Sequence, residues 1–340
     1  MINVKAIVYD RYGSPDVLRN EEVETPAPGD RDVLVHVHAT SVTPTDAIFR
    51  SGRVVSARMF TGPLRPRRRT LGGEISGQVV AVGKGVTKFK VGDRVFADTG
   101  SALGAHAEYV RISEDGALAI APAGLDHRET VAVLDGMLTA LPFLRDGARL
   151  REGQEILING ASGTVGAAAV QLAKHHVGAR VTGVCSTAKR EMVESLGADE
   201  VIDYAKADFT RGGRTYDVIF DAAGKSSFSR CRRALRPGGI YLTTTPSLTI
   251  FLRSLWTRGF GGKRAAIMFT GLRPDGDKAT DLRLLAELAE AKTIRPVIDG
   301  VYPLAEAAEA HRRVDSGRKQ GCVLLTTEQN GVPDPTAEGH

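Results

Sequence analysis

An apolar run, Ile156-Leu157-Ile158-Asn159, feeds directly into Gly160-Ala161-Ser162-Gly163-Thr164-Val165-Gly166, and a segment with helical apolar spacing, residues 165–173, leaves the turn. Strand, glycine turn and helix in that order is how a parallel sheet presents a helix N-terminus to a pyrophosphate. The glycines permit backbone angles that side chains resist, and they allow phosphate and the neighbouring strand to come close. Their spacing is Gly-x-x-Gly-x-x-Gly rather than the commoner Gly-x-Gly-x-x-Gly. The turn therefore takes its meaning from the next strand and its loop.

That second strand spans 180–185, and its loop reads Ser186-Thr187-Ala188-Lys189-Arg190. A site for NAD places Asp or Glu here to grip the adenosine ribose hydroxyl. A carboxylate would repel a ribose 2′-phosphate, whereas a hydroxyl and two cations donate hydrogen bonds and charge to one. The expected cofactor is NADP(H), with Lys189 ahead of Arg190 as its partner. The competing reading is that both cations merely solvate the start of a helix over 188–196. Cations at a helix N-terminus oppose its dipole, which favours an anion between them.

At 340 residues the chain exceeds a usual single core and should split into two domains. No apolar run reaches membrane-spanning length and the first residues carry no signal pattern, so no membrane partner is expected. Three scattered cysteines, Cys185, Cys231 and Cys322, offer no disulfide framework and suit a reducing, cytoplasmic setting. The dense basic run, Arg65-Pro66-Arg67-Arg68-Arg69, reads as a solvated loop. No aromatic-rich basic surface accompanies it, so nucleic acid is not an expected partner.

The two parts of the chain differ in grammar. Residues 1–125 hold short strands punctuated by Gly and Pro, at 33–38, 73–83, 92–97 and 107–112, the pattern of a small β-barrel. From 126 to 295 strands and helices alternate, with strands expected near 156–159, 181–185, 200–202, 218–220, 240–243 and 266–269. That is an α/β, doubly wound parallel sheet. A strand at 297–302, a helix at 304–314 and a strand at 321–326 then return to the first grammar. The expected domains are thus 1–125 with 296–328, an inserted nucleotide domain at 126–295, and a disordered tail at 329–340.

Further runs extend across the chain: Ser41-Val42-Thr43-Pro44-Thr45-Asp46 with Arg50-Ser51-Gly52, Gly85-Val86-Thr87-Lys88-Phe89-Lys90-Val91-Gly92-Asp93-Arg94-Val95, and Leu138-Thr139-Ala140-Leu141. Gly197-Ala198-Asp199-Glu200-Val201-Ile202-Asp203-Tyr204, Asp221-Ala222-Ala223-Gly224 and Pro303-Leu304-Ala305-Glu306-Ala307-Ala308-Glu309-Ala310-His311 complete the set. With these, residues 3–327 resemble the zinc-independent medium-chain dehydrogenases/reductases of the quinone oxidoreductase branch. The resemblance implies a GroES-like catalytic domain beside a Rossmann domain. It places Gly163, Thr164, Val165 and Gly166 under the pyrophosphate, and Ser186, Lys189 and Tyr204 around the adenosine end. Ala223, Gly224, Thr244 and Thr245 would close the carboxyl ends of two strands, and Thr139 would reach the nicotinamide side. Tyr204 could equally cap a strand end, and Thr139 could bond its own helix backbone.

No metal is expected. Zinc-dependent relatives use convergent cysteines, whereas here residues 1–125 contain none, and Gly72-Gly73-Glu74 stands where Gly-His-Glu would be. His36 and His38 share a strand face but lack a third nearby ligand. Without a Lewis acid or a placed base, alcohol oxidation is unattractive, whereas a quinone or α,β-unsaturated carbonyl accepts hydride once its oxyanion meets hydroxyl donors. In the loop that the resemblance turns toward the nicotinamide, those donors would be Thr43 and Thr45, although Thr43 could simply cap the turn before Pro44. Many relatives have Asn at position 43 and some have Tyr at 48, where this chain has Thr43 and Ile48.

The leading expectation is an NADPH-dependent reductase of a quinone or enone. The alternatives are a zinc-free aldehyde or alcohol oxidoreductase and a non-catalytic NADPH-binding redox sensor. An apolar segment at 265–269 on the far sheet edge is a hazard unless covered. Pairing with a two-fold mate would give a homodimer with each site in its own subunit's cleft. The alternative is that residues 250–260 fold over the edge or lid the pocket.

Overall fold

The computed structural model describes residues 3–258 and 262–327; residues 259–261 and the polar tail lie outside them. Two compact units emerge. One comprises residues up to 132, 274–283 and those from 298 onward; the other comprises 133–273 and 284–297.

The central strand of the first unit is Asp32–Ser41, in a seven-stranded sheet. Its alternation buries Val33, Val35 and Val37 completely against Ile75, Val79, Val95 and Ala97, while His36 and His38 stay half-exposed. A register shift after Val37 breaks the alternation, so that Ala39, Thr40 and Ser41 are all buried. Strand Glu74–Val82 pairs antiparallel on one side of this strand, and on the other side Leu324 pairs with Ser41, Leu325 with Thr40 and Thr326 with Ala39. The C-terminal strand Cys322–Thr326 thus returns to the N-terminal sheet, as the second change of grammar requires.

Residues 274–283 fall by sequence inside the expected nucleotide domain, yet they belong to the first unit. The Lys278 ammonium, 2% exposed, meets the Asp98 carboxylate at 2.8 Å. A buried cation goes where its counter-charge is.

Helix Ala307–Asp315 buries Ala307, Ala310, His311 and Val314. His311 is fully buried and neither ring nitrogen has a hydrogen-bond partner among the described residues. Its ring lies 5.7 Å from that of buried His106, whose Nε2 faces the Ser41 carbonyl oxygen at 2.9 Å. The buried Arg50 guanidinium pairs with Asp315 at 2.6 Å.

The second unit contains six parallel strands, Glu155–Asn159, Arg180–Cys185, Glu200–Asp203, Tyr216–Asp221, Leu235–Thr243 and Arg264–Ile267. Their spatial order is third, second, first, fourth, fifth and sixth, the doubly wound order with its reversal beside Glu155–Asn159. The last strand starts and ends two residues earlier than the sequence pattern implies. Its neighbour stops at Thr243, which pairs with Ile267, so Met268 and Phe269 have no ladder to join. Helix Leu248–Arg258 packs on this edge strand, and the Thr257 hydroxyl accepts from Ala265 N–H at 3.1 Å. Residues 248–258 of the segment expected to cover the edge thus reach the edge strand at Ala265.

Burial, the nearby His106 and the Arg50 charge hold the His311 imidazole well below its usual pKa, so it folds neutral. The unfolded chain binds its proton near pH ~6.5, so stability is complete above that value and declines as pH falls below it. As pH falls below ~6.5 this residue adds a slope that rises toward about 1.4 kcal/mol per pH unit. Urea titrations across that window should show the slope in the native chain, and His311→Phe should flatten it.

Candidate nucleotide site

The turn after Glu155–Asn159 is built by contacts that only glycine permits. Gly160 has φ +84°, and a Cβ there would meet the Ala223 Cβ at 2.7 Å. A Cβ on Gly166 would sit 2.0 Å from the Gly160 carbonyl oxygen. Gly163 is different: an added Cβ would come no closer than 3.6 Å to its neighbours. It is the N-cap of helix Thr164–Gln171 and, lacking a side chain, supplies no capping acceptor to the first turn.

The loop after Tyr216–Asp221 converges on the same strand ends. Buried Asp221 accepts from Asn159 Nδ2 at 2.8 Å, Tyr241 OH at 2.9 Å and Ser226 N–H at 2.7 Å. Burial, followed by the Asp221 charge, pushes the Tyr241 phenol far above its usual pKa, so it stays a donor. Gly224 has φ +63°, and a Cβ there would fall 1.8 Å from Thr245 Oγ1. Thr244 Oγ1 donates to the Ala222 carbonyl at 3.2 Å. Ala223, Gly224, Thr244 and Thr245 thus form one surface beside Gly160.

After strand Arg180–Cys185, Ser186 opens a short 3-10 turn, Thr187–Lys189, and its carbonyl accepts from Lys189 N–H at 3.0 Å. Arg190 is engaged elsewhere, donating to the Val201 carbonyl at 2.8 Å and pairing with Glu194 at 3.0 Å. Tyr204 comes just after the neighbouring strand and is 65% exposed, with its backbone N–H on the Cys185 carbonyl. Asp203 precedes it, but its carboxylate accepts from Thr187 Oγ1 and the Ala205 N–H, which hold its pKa below the usual range.

A feature that sequence reading missed adjoins the helix start. Helix His127–Pro142 is broken at Asp135–Gly136, where Gly136 has φ +85°, and a Cβ on Gly136 would meet the Thr164 carbonyl oxygen at 2.7 Å. Half-buried Thr139 comes three residues later. The Asp-Gly pair inside an apolar run was the available signal.

In the first unit, Thr43 caps helix Pro44–Ser51. Its Oγ1 donates to Asp46 Oδ2 at 2.7 Å and accepts from Asp46 N–H at 3.2 Å, a capping box. Its one hydroxyl proton is committed. Thr45, one turn-position on, is exposed.

Among the described residues no three His, Cys, Asp or Glu side chains are placed to hold a metal ion. His36 and His38 do acquire a third imidazole, since His127 stacks on His38 at 4.3 Å, but its Nδ1 faces Ser76 Oγ at 2.8 Å. All three cysteines are buried and separate, and burial raises the Cys185 and Cys231 thiols, the latter to about 11.

Residues 29–123 match the alcohol dehydrogenase GroES-like domain and 196–325 match a family described as zinc-binding dehydrogenase. A quinone oxidoreductase of Pseudomonas aeruginosa is 32% identical over 336 residues, covering 94% of this chain and 99% of that protein. The chain belongs to the quinone oxidoreductase-like medium-chain dehydrogenases/reductases. An Arabidopsis thaliana chloroplast protein named NADPH-dependent alkenal/one oxidoreductase is 30% identical, over 95% of this chain and 79% of that one. The Escherichia coli quinone oxidoreductase complexed with NADPH superposes with a TM-score of 0.80 at 27% identity, over 95% and 99% of the two chains. The expected GroES-like plus Rossmann class is therefore the fold of this family member.

Gly224→Ala should destabilise the second unit by about 1–3 kcal/mol through its left-handed backbone and displace Thr245. Gly212→Ala, where an added Cβ meets nothing within 4 Å, serves as control. Denaturant midpoints and NADPH fluorescence titration should show both losses in the first variant and neither in the second.

Proposed function

We propose that this chain is an NADPH-dependent reductase that passes hydride to a quinone or α,β-unsaturated carbonyl without a metal. The observation that carries the reading is the Gly160–Gly166 turn with an acid-free Ser186–Lys189 loop beside it. The cofactor is NADP(H), and bound there it supplies the hydride.

In this reading the first-turn amides at Thr164, Val165 and Gly166 bind pyrophosphate. Ser186 and Lys189 hold the 2′-phosphate, and Tyr204 flanks the adenosine. Arg190, committed to Glu194 and Val201, is the lesser partner. Thr139, Ala223, Gly224, Thr244 and Thr245 define the nicotinamide end. Thr45 meets the oxyanion of the reduced substrate, while Thr43 positions the loop. Water supplies the proton, so no placed acid is needed.

We propose the homodimer at the sheet edge, with the exposed face of helix Leu248–Arg258, carrying Leu248, Phe251, Leu252, Leu255 and Trp256, as apolar contact beside it. Sedimentation velocity should give a dimer that Leu255→Asp converts to monomers.

Lys189→Ala should weaken NADPH binding on the order of tenfold to a hundredfold, the loss of a charge-assisted bond of about 1.5–3 kcal/mol, and leave NADH unchanged. Equal losses for both nucleotides would refute the assignment. Thr45→Ala should lower kcat for 9,10-phenanthrenequinone or a 2-alkenal, with recovery in Thr45→Ser. Thr43→Ala should cost about 1 kcal/mol of stability, and turnover should survive exhaustive chelation. Nucleotide binding without turnover of any acceptor would favour a sensor.

A further inference from the structure

The segment after helix Pro44–Ser51 reverses the usual amphipathic order. In helix Val55–Thr61 the inward positions are Ala57 and Thr61, 8% and 2% exposed, whereas Val55 and Met59 stand 77% and 84% exposed. The inner hydroxyl is satisfied, since Thr61 Oγ1 lies 3.3 Å from the Ala57 carbonyl and 2.8 Å from Tyr12 OH. The helix is therefore fixed with its aliphatic side in water. Val54 precedes it at 44% exposure and Leu64 lies beyond it at 87%.

Cations surround these aliphatics. Residues 47–73 contain seven arginines and no acidic residue, while the whole chain carries only +5, so everything outside this segment is net negative. Three of the seven are occupied. Arg50 pairs with Asp315, Arg58 donates to the Gly52 carbonyl over the Tyr12 ring, and Arg69 pairs with Asp10 and Glu21. Arg53, Arg65, Arg67 and Arg68 are exposed, with no ion-pair partner among the described residues.

We propose that residues 53–68 dock this protein on anionic lipid bilayers. Val55, Met59 and Leu64 enter the interfacial region while Arg53, Arg65, Arg67 and Arg68 meet lipid phosphates and carboxylates. Aliphatics that project into water gain free energy from a hydrocarbon boundary and nothing from a nucleic-acid backbone. A second copy is disfavoured, because a two-fold contact would press this arginine cluster onto itself. The sequence alone placed the basic run on a solvated face. It could not show that the intervening aliphatics are left outside as well.

The test is co-sedimentation of the full chain with vesicles of phosphatidylcholine alone and of phosphatidylcholine with about one-third phosphatidylserine, at low and high salt. The expected result is binding to the anionic vesicles only, weakened by salt. Each arginine near the surface contributes roughly fivefold, so Arg65→Gln/Arg67→Gln/Arg68→Gln should lose on the order of a hundredfold. Met59→Ser/Leu64→Ser should weaken binding at unchanged charge, and retained NADPH binding verifies that both variants are folded. Failure of the native chain to bind anionic vesicles overturns the proposal. So does undiminished binding by either variant, or binding to polyglutamate or DNA in place of vesicles.

Discussion

One buried carboxylate ties the nucleotide side of this molecule together. Asp221 ends a strand at the centre of the parallel sheet, and it accepts from the side chains of two adjoining strands and from the amide of its own loop. A charge at zero exposure survives only when such donors surround it. Removing any one would leave the carboxylate under-solvated, which makes the strand ends and the loop behind them a single structural decision. The close approaches of Ala223 to Gly160 and of Thr245 to Gly224 result from it, and with them the surface on which a nucleotide can lie.

The Thr43–Asp46 capping box does similar work in the first unit. Asp46 Oδ2 takes the Thr43 hydroxyl and amide while Oδ1 takes the Gly72 amide at 2.9 Å. One carboxylate therefore fixes the start of a helix and a second, distant segment at once. It is within the span between these two anchors that the arginines and exposed aliphatics accumulate.

The parallel sheet was legible because its strands are apolar on both faces and are separated by helical spacing. The first four were placed within two residues, the fifth begins five residues earlier than expected at Leu235, and the sixth is shifted by two because a neighbour's end sets its limit. The glycine turn was legible because its spacing after an apolar strand is a local fact. The commitment of Thr43 to a cap was visible as an alternative but not decidable, since both roles use the same hydroxyl. The break at Gly136 had a local signal in its Asp-Gly pair that went unread, whereas two things depended on tertiary contact and left no local trace: the membership of Lys278 in the first unit and the arrival of His127 beside His38.

The hydroxyl of Thr257 on Ala265 has a consequence for the life of the free subunit. An open strand at the end of a sheet templates runaway growth, and many proteins meet this by remaining permanently paired. Here the outermost strand has its middle residue bonded from within the same chain. The outermost strand therefore spends one of its outward amides on a partner from its own chain and offers a foreign strand one donor fewer.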